Sequence, residues 1–296
     1  MKPFSYFSPR TPREAIDLLV THGPGAKIWA GGTDLLVEMK EGILAPEYVI
    51  DLKDIPALNQ IKLENQYLKI GALATVHEVE IHPSVREYAG MLAQAASLLG
   101  SLQIRNKGTI GGNLCHASPA ADLASPLLAL DGRVRMSGKN GERTEHLENF
   151  FVGPGITTLK PDEILTEIQV PIPPPGSAGF YLKFSPRKAM DLALVGVAAF
   201  ITLNRASQIC TRARIALGAM APTPIRVKKA ERILEGKRIQ QERLREVSDL
   251  AAEESRPISD IRGSAWYRKE VVKILVEQGI MQTLDQINQK PGVNQP

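Results

Sequence analysis

A chain of 296 residues with 43% hydrophobic and 23% charged content is long enough for about two globular domains, each with its own core. The 36 basic residues against 32 acidic ones leave a net charge of +4, without the concentrated cationic face that nucleic-acid binding needs. Two cysteines, Cys115 and Cys210, exclude a disulfide framework, a zinc quartet and an iron–sulfur cluster held by this chain alone. No run reaches the ~18 consecutive apolar residues of a membrane span. The N-terminus has no signal-peptide pattern, so the expected location is cytoplasmic.

Thr11-Pro12-Arg13-Glu14 predicts a helix start: a Thr cap, Pro in the first turn and Glu14 to complete a capping box. Ala15, Ile16, Leu18 and Leu19 supply its buried face, and Gly23 its end. "AKIWA" (26–30) and "EYVIDL" (47–52) read as strands of a small β-α-β unit. A hairpin follows in "NQIKLENQYLKIGA", turning at Glu64-Asn65. The stretch 83–101 reads as one helix, then "DLASPLLALD" as another and "GRVRMSG" as a strand. "DEILTEIQVPI" (162–172) is a strand that runs into the breaker "PIPPPGSAG", which marks a domain boundary.

Beyond it, "AGFYLKFSP", "GVAAFITLN" and "ICTRARIALGAM" predict a three-stranded antiparallel sheet. Helices are expected over roughly 225–236, 239–254 and 264–279, with a polar tail from 283 to 296. Acidic residues interleave with the basic run "IRVKKAERILEGKRIQQERLR", as on a solvated helix face. The class is α+β.

Two glycine segments stand apart: "AGGTDLL" (30–36) and "GTIGGNLCHASPAAD" (108–122). Paired glycines let backbone N–H groups turn toward one point, a concavity that binds anions such as a pyrophosphate. Thr33, Thr109 and Asn113 add polar side chains beside them. Neither a P-loop nor a G-x-G-x-x-G dinucleotide fingerprint is present. Spacing alone leaves two readings level, a pair of tight turns or a ligand site built from two distant loops.

The segments "IWAGGTDLL" and "TIGGNLCHASPAAD" resemble the paired FAD-binding signatures of the flavin subunit of molybdenum hydroxylases, the xanthine dehydrogenase and aerobic carbon monoxide dehydrogenase family. A third stretch, "YLKFSPRKAMDLALVGVAA" (181–199), resembles the family's Lys-x-x-x-Arg-[Lys/Arg]-x-x-Asp-x-Ala motif. The resemblance runs from the first residues to about 280, with its three motifs in order.

It implies a vanillyl-alcohol-oxidase-like (PCMH-type) FAD-binding domain over 1–174, with two α/β subdomains of about 1–55 and 56–174. A C-terminal domain of the carbon monoxide dehydrogenase flavoprotein type would cover 175–282. By the same resemblance, Ala30, Gly31, Gly32, Thr33, Asp34 and Leu35 form the first FAD segment. Thr109, Gly111, Gly112 and Asn113 form the second, with His116 and Ala117 close to the cofactor. Asp122 matches a position that hydrogen-bonds the cofactor, and Leu165 one that packs on the isoalloxazine. Lys183 matches a basic residue at the flavin edge. FAD is expected to be bound non-covalently, without a link to His116.

Bland readings stand beside the tempting residues. His77 and His82 fit helix ends or core, and Cys115 a small buried filler rather than a nucleophile. The pair Trp266-Tyr267 fits packing or a subunit contact. Arg187 and Asp191 read equally as charges near the flavin or as a salt bridge between domains.

No converging acid, base or nucleophile is legible in the signature stretches, so the chain reads as a relay and not as a self-contained catalyst. The family resemblance implies partners: a large molybdopterin subunit and a small subunit with [2Fe-2S] clusters, arranged as a dimer of heterotrimers. Electrons from those clusters would pass through FAD to NAD, a quinone or O2. The alternatives are a self-sufficient flavin oxidoreductase of the same fold and a non-redox binding protein.

Overall fold

The computed structural model describes residues 1–187 and 189–289. The polar tail expected from 283 falls partly outside these residues, at 290–296.

The first helix spans Pro12–His22, with the Thr11 hydroxyl accepting from the Glu14 amide; the Glu14 carboxylate takes the Arg10 amide at 2.8 Å in place of that of Thr11, so the expected box is only half formed. It packs beside a parallel sheet in which Tyr48–Asp51 lies between Ser5–Phe7 and Ala26–Trp29. The strand Ser5–Phe7 is too short and too exposed to leave an alternating pattern in sequence. A separate core of Ala15, Ile16, Leu19, Ile50 and Leu52 holds this unit together.

The middle of the chain forms a five-stranded antiparallel sheet. Its strands lie in the order Ile61–Glu64, Tyr67–Gly71, Ile164–Pro171, Arg133–Gly138 and Gly141–His146. The hairpin turns at Asn65-Gln66, one residue later than expected, with both residues at positive φ as a type I′ turn demands. The predicted helix 83–101 is two, Pro83–Tyr88 and Gly90–Ser97. Ala89 leaves helical geometry at φ −137°, and Gly90 behind it has little tendency to carry a helix across the break.

In the C-terminal part, Ser177–Phe184, Val195–Asn204 and Ile209–Gly218 form the expected antiparallel sheet, extended by the two-residue strand Ile225–Arg226. Val195–Asn204 is buried on both faces up to its last residue, which explains its almost continuous apolar run. Val197, Ala199 and Ile201 face the helices Lys228–Leu234, Gln241–Glu254 and Ala265–Gln289. Ala198 and Phe200 instead join the core of the preceding domain, together with Tyr181 and Ala216. One sheet thus closes two cores.

The last helix runs to Gln289, ten residues beyond the predicted end at Gly279. Gly279 is not a terminator. A Cβ there would meet the Ala199 side chain at 3.7 Å, an ordinary contact, so the glycine lies within the packed face of the helix and does not end it. Ile280 and Ile287 continue the buried stripe past it.

Candidate functional site

The strand Ala26–Trp29 delivers the chain into Ala30–Asp34, after which a short helix, Leu35–Glu41, begins. Gly32 has φ +74°, and a Cβ on it would lie 2.5 Å from the Trp29 indole nitrogen. Gly31 is tighter still: its Cβ would stand 2.0 Å from the carbonyl oxygen of Lys107 and 2.8 Å from the Cα of Gly108. Only a glycine lets these two backbones meet. The first segment is thereby pressed against the approach to the second. Among the described residues, the N–H groups of Gly31, Gly32, Thr33, Asp34 and Leu35 have no protein acceptor.

The second segment is not the loop its glycines predict. Ile110–His116 is a helix, capped by the Thr109 hydroxyl, which accepts the Gly112 amide at 3.0 Å. Its remaining early N–H groups are also engaged. Ile110 donates to the Ala74 carbonyl, Gly111 to that of Ala72 and Asn113 to that of Thr109. Gly111 packs directly on Ala72, where a Cβ would lie 2.6 Å from the carbonyl oxygen. Ala117 ends the helix at φ +50°, and its carbonyl accepts the Gly155 amide at 3.1 Å.

The two segments face each other. His116 reaches within 4.0 Å of the carboxylates of both Asp34 and Glu38. Two buried polar atoms here lack a partner among the described residues, the Trp29 Nε1 beneath Gly32 and the Asn113 Oδ1 in the capped helix. The orphaned Trp29 N–H beside a row of free backbone N–H groups suits a ligand with several acceptor oxygens, whereas the Asn113 oxygen calls for a donor such as a hydroxyl. Leu165 is 5% exposed and lies at a bulge in the strand Ile164–Pro171, on which the capped helix packs.

Asp122 and Lys183 form a third group. The Lys183 ammonium bonds the Asp122 carboxylate at 2.7 Å and the Leu98 carbonyl at 3.2 Å. The Tyr181 hydroxyl donates to the other Asp122 oxygen at 2.8 Å, while the Tyr181 amide donates to Gln94. Burial pushes the Asp122 carboxyl upward, and the nearby Lys183 charge is the main force opposing it. Burial, then the adjacent carboxylate, hold the Tyr181 phenol well above its ordinary range. Lys183 also lines a small pocket with Ser185, Met190 and Asp191. The chain joins this group to the second segment through Ala117–Asp122, without a direct side-chain bond between them among the described residues.

Residues 2–173 match the sequence model of the FAD binding domain in molybdopterin dehydrogenase, and 180–283 that of the CO dehydrogenase flavoprotein C-terminal domain. The chain is an FAD-binding subunit of the molybdenum hydroxylase family. It is 35% identical to the nicotinate dehydrogenase FAD-subunit of Eubacterium barkeri, over 97% of this chain and 98% of that one. It is 34% identical to the carbon monoxide dehydrogenase medium chain of Hydrogenophaga pseudoflava, over 94% and 96%. The solved structure of carbon monoxide dehydrogenase from Hydrogenophaga pseudoflava superposes with a TM-score of 0.93 at 33% identity, covering 97% of this chain and 99% of that one. Quinoline 2-oxidoreductase from Pseudomonas putida 86 gives 0.90 at 29% identity, over 97% and 99%. The vanillyl-alcohol-oxidase-like, α+β architecture expected of the family is therefore that of this oxidoreductase subunit.

Other expectations of the flavin subunit resolve locally. Arg187 and Asp191 pair with each other inside one loop, at 3.3 Å, and among the described residues neither makes an ion pair that bridges domains. The His82 ring accepts the Ser84 amide at a helix start, and His77 pairs with Glu80. Trp266 is 71% exposed, so it is not a packing residue within this chain. Tyr181 and Trp29 were not among the expected site residues. The alternation Tyr181-x-Lys183 in a strand places both side chains on one face, a signal in the sequence from which Tyr181 could have been found.

Proposed function

We propose that this subunit relays electrons within a larger complex. When bound, FAD supplies the chemistry, accepting electrons from [2Fe-2S] clusters of a small partner subunit and yielding them to an external acceptor such as NAD, a quinone or O2. A large molybdopterin subunit would oxidise the substrate, in a cytoplasmic dimer of heterotrimers. The observation that carries this reading is the meeting of the two glycine segments, where the backbone at Gly31 touches Lys107 and Gly108.

In this reading, the free N–H groups from Gly31 to Leu35 hold the pyrophosphate oxygens, with Ala30 setting the direction of the turn. Thr109 supports the site from the second segment: its oxygen caps the helix, and its hydroxyl hydrogen remains available to the ligand. Gly111 and Gly112 keep the capped turn close, and Asn113 presents its amide. His116 and Ala117 border the cofactor, and His116 lies across from Asp34. Leu165 offers an apolar surface for the ring system, and Lys183 a cation held in place by Asp122. With only two cysteines, the chain depends on partners for its clusters.

The test is a pull-down of this chain from its native host, with flavin absorbance, molybdenum and iron measured in the eluate. Flavin with both metals and two further chains is the expected result. A yellow chain alone, without either metal, would transfer the reading to a self-sufficient flavoenzyme. A colourless eluate that takes up no added FAD would overturn it.

A further inference from the structure

Tyr181 is a buried phenol, 1% exposed, at the junction of the FAD-binding domain and the C-terminal sheet. A buried hydroxyl needs a partner, and this one has Asp122 at 2.8 Å. The space for it is kept open by Gly196 on the neighbouring strand, where a Cβ would approach the Tyr181 oxygen to 3.1 Å. The amide of the same residue is pinned to Gln94, so the strand is fixed against the helix Gly90–Ser97 at this point.

Asp122 sits between two donors. Its one oxygen takes the phenol and the other takes Lys183, whose side chain is 6% exposed. An ammonium has three N–H donors. Among the described residues, two of them are used, by Asp122 and by the Leu98 carbonyl, and the pocket with Ser185 and Asp191 opens beside the ammonium. Where the phenol holds the carboxylate, the carboxylate holds the ammonium, and the direction of the remaining N–H is set.

We propose that Tyr181 is a positioning residue for Lys183, acting through Asp122, and that this chain of contacts adjusts how readily the bound flavin is reduced. The proposal rests on the reading that the flavin ring reaches Lys183. A fixed cation beside the ring favours the form with more electrons. The phenol donates to Asp122 and withdraws part of its negative charge, so more of the Lys183 field reaches the pocket. Removing the hydroxyl leaves the carboxylate with its full charge next to the ammonium, and the field falls.

The experiment is reduction of the FAD-loaded full chain in equilibrium with a dye of known potential, for the wild type, Tyr181→Phe, Lys183→Gln and the double variant. Phenylalanine preserves the ring volume and removes one donor. In Tyr181→Phe, the ratio of reduced to oxidised flavin at a fixed potential is expected to fall about tenfold, about 30 mV for a two-electron couple. In the Lys183→Gln background the same change is expected to move the ratio less than about twofold. There the buried Asp122 has lost the cation that favours its charged form, so the phenol no longer controls a charge. An unchanged ratio in Tyr181→Phe overturns the proposal. So does an equal shift with Lys183 absent, or loss of FAD from the Tyr181→Phe chain, since either gives the phenol a role that does not pass through Lys183. A wild-type chain that takes up no FAD overturns the functional reading beneath it instead.

Discussion

From Gly31 to Leu35, five successive backbone N–H groups have no protein acceptor among the described residues, whereas from Ile110 to Asn113 every N–H has one. Both segments carry a Gly-Gly pair followed by small polar residues. In the first, glycine allows a positive φ and a backbone contact that leaves donors pointing outward. In the second, glycine lets a capped helix pack onto Ala72. The same dipeptide therefore leaves backbone donors free in one place and packs a helix in the other. Composition does not separate these uses; the partners of the backbone do.

The difference has a chemical signature at Cys115, in the last turn of the capped helix. Burial pushes this thiol up to about 12. The thiolate is the reactive form, and a more basic thiolate is also the stronger nucleophile, so alkylation at pH 8 should be about a hundredfold slower in the folded chain than in the unfolded one. The rate should then climb about tenfold per pH unit, because the folded pKa stays above the range tested. Peptide mapping after timed iodoacetamide treatment gives this ratio. A ratio under about tenfold would mean that the second segment opens in solution, and the contrast with the first would be lost.

Gly31→Ala attacks the other segment. The new methyl would meet backbone, 2.0 Å from the Lys107 oxygen, so the two segments must separate. Crowding of this kind costs about 1–3 kcal/mol of stability. FAD affinity should fall about a hundredfold, because the row of free donors moves with the backbone, as flavin fluorescence titration of the purified chain would measure. Retention of FAD at wild-type affinity would remove the first segment from the site.

The sequence made these two segments visible and hid how they differ. Motif order and the capping residues at Thr11 were legible because they are local, as was the two-sided apolar run of Val195–Asn204. The helix Val76–Ile81 was missed even though Thr75 and Glu78 form a complete capping box, a signal the sequence carries. The edge strand Gly141–His146 could not be seen: its residues are polar and largely exposed, so no face imposes a pattern. Within the site, Asp122 and Lys183 were legible as separate positions. Their ion pair and its link to Tyr181 were not, because they join residues about sixty apart across two domains.

Thr109→Ala is the mildest of these tests and the most discriminating. It removes the cap on Ile110–His116, and an N-cap Thr is worth about 1 kcal/mol. In a chain of this size that lowers the melting temperature by about 2–4 °C. The Gly112 N–H loses its acceptor, but the helix still holds the bonds from Ile110 and Gly111 to Ala74 and Ala72. The segment should stay in place, and FAD affinity should fall by no more than about tenfold, the share of one hydroxyl donor. Thr109→Ser restores the cap oxygen and should recover both quantities. If Thr109→Ala released FAD as completely as Gly31→Ala while the melting temperature held, the second segment would be a primary binding element whose donors reorganise around the ligand. A parallel loss of a few degrees with modest loss of FAD identifies it as the strut against which the first segment is set.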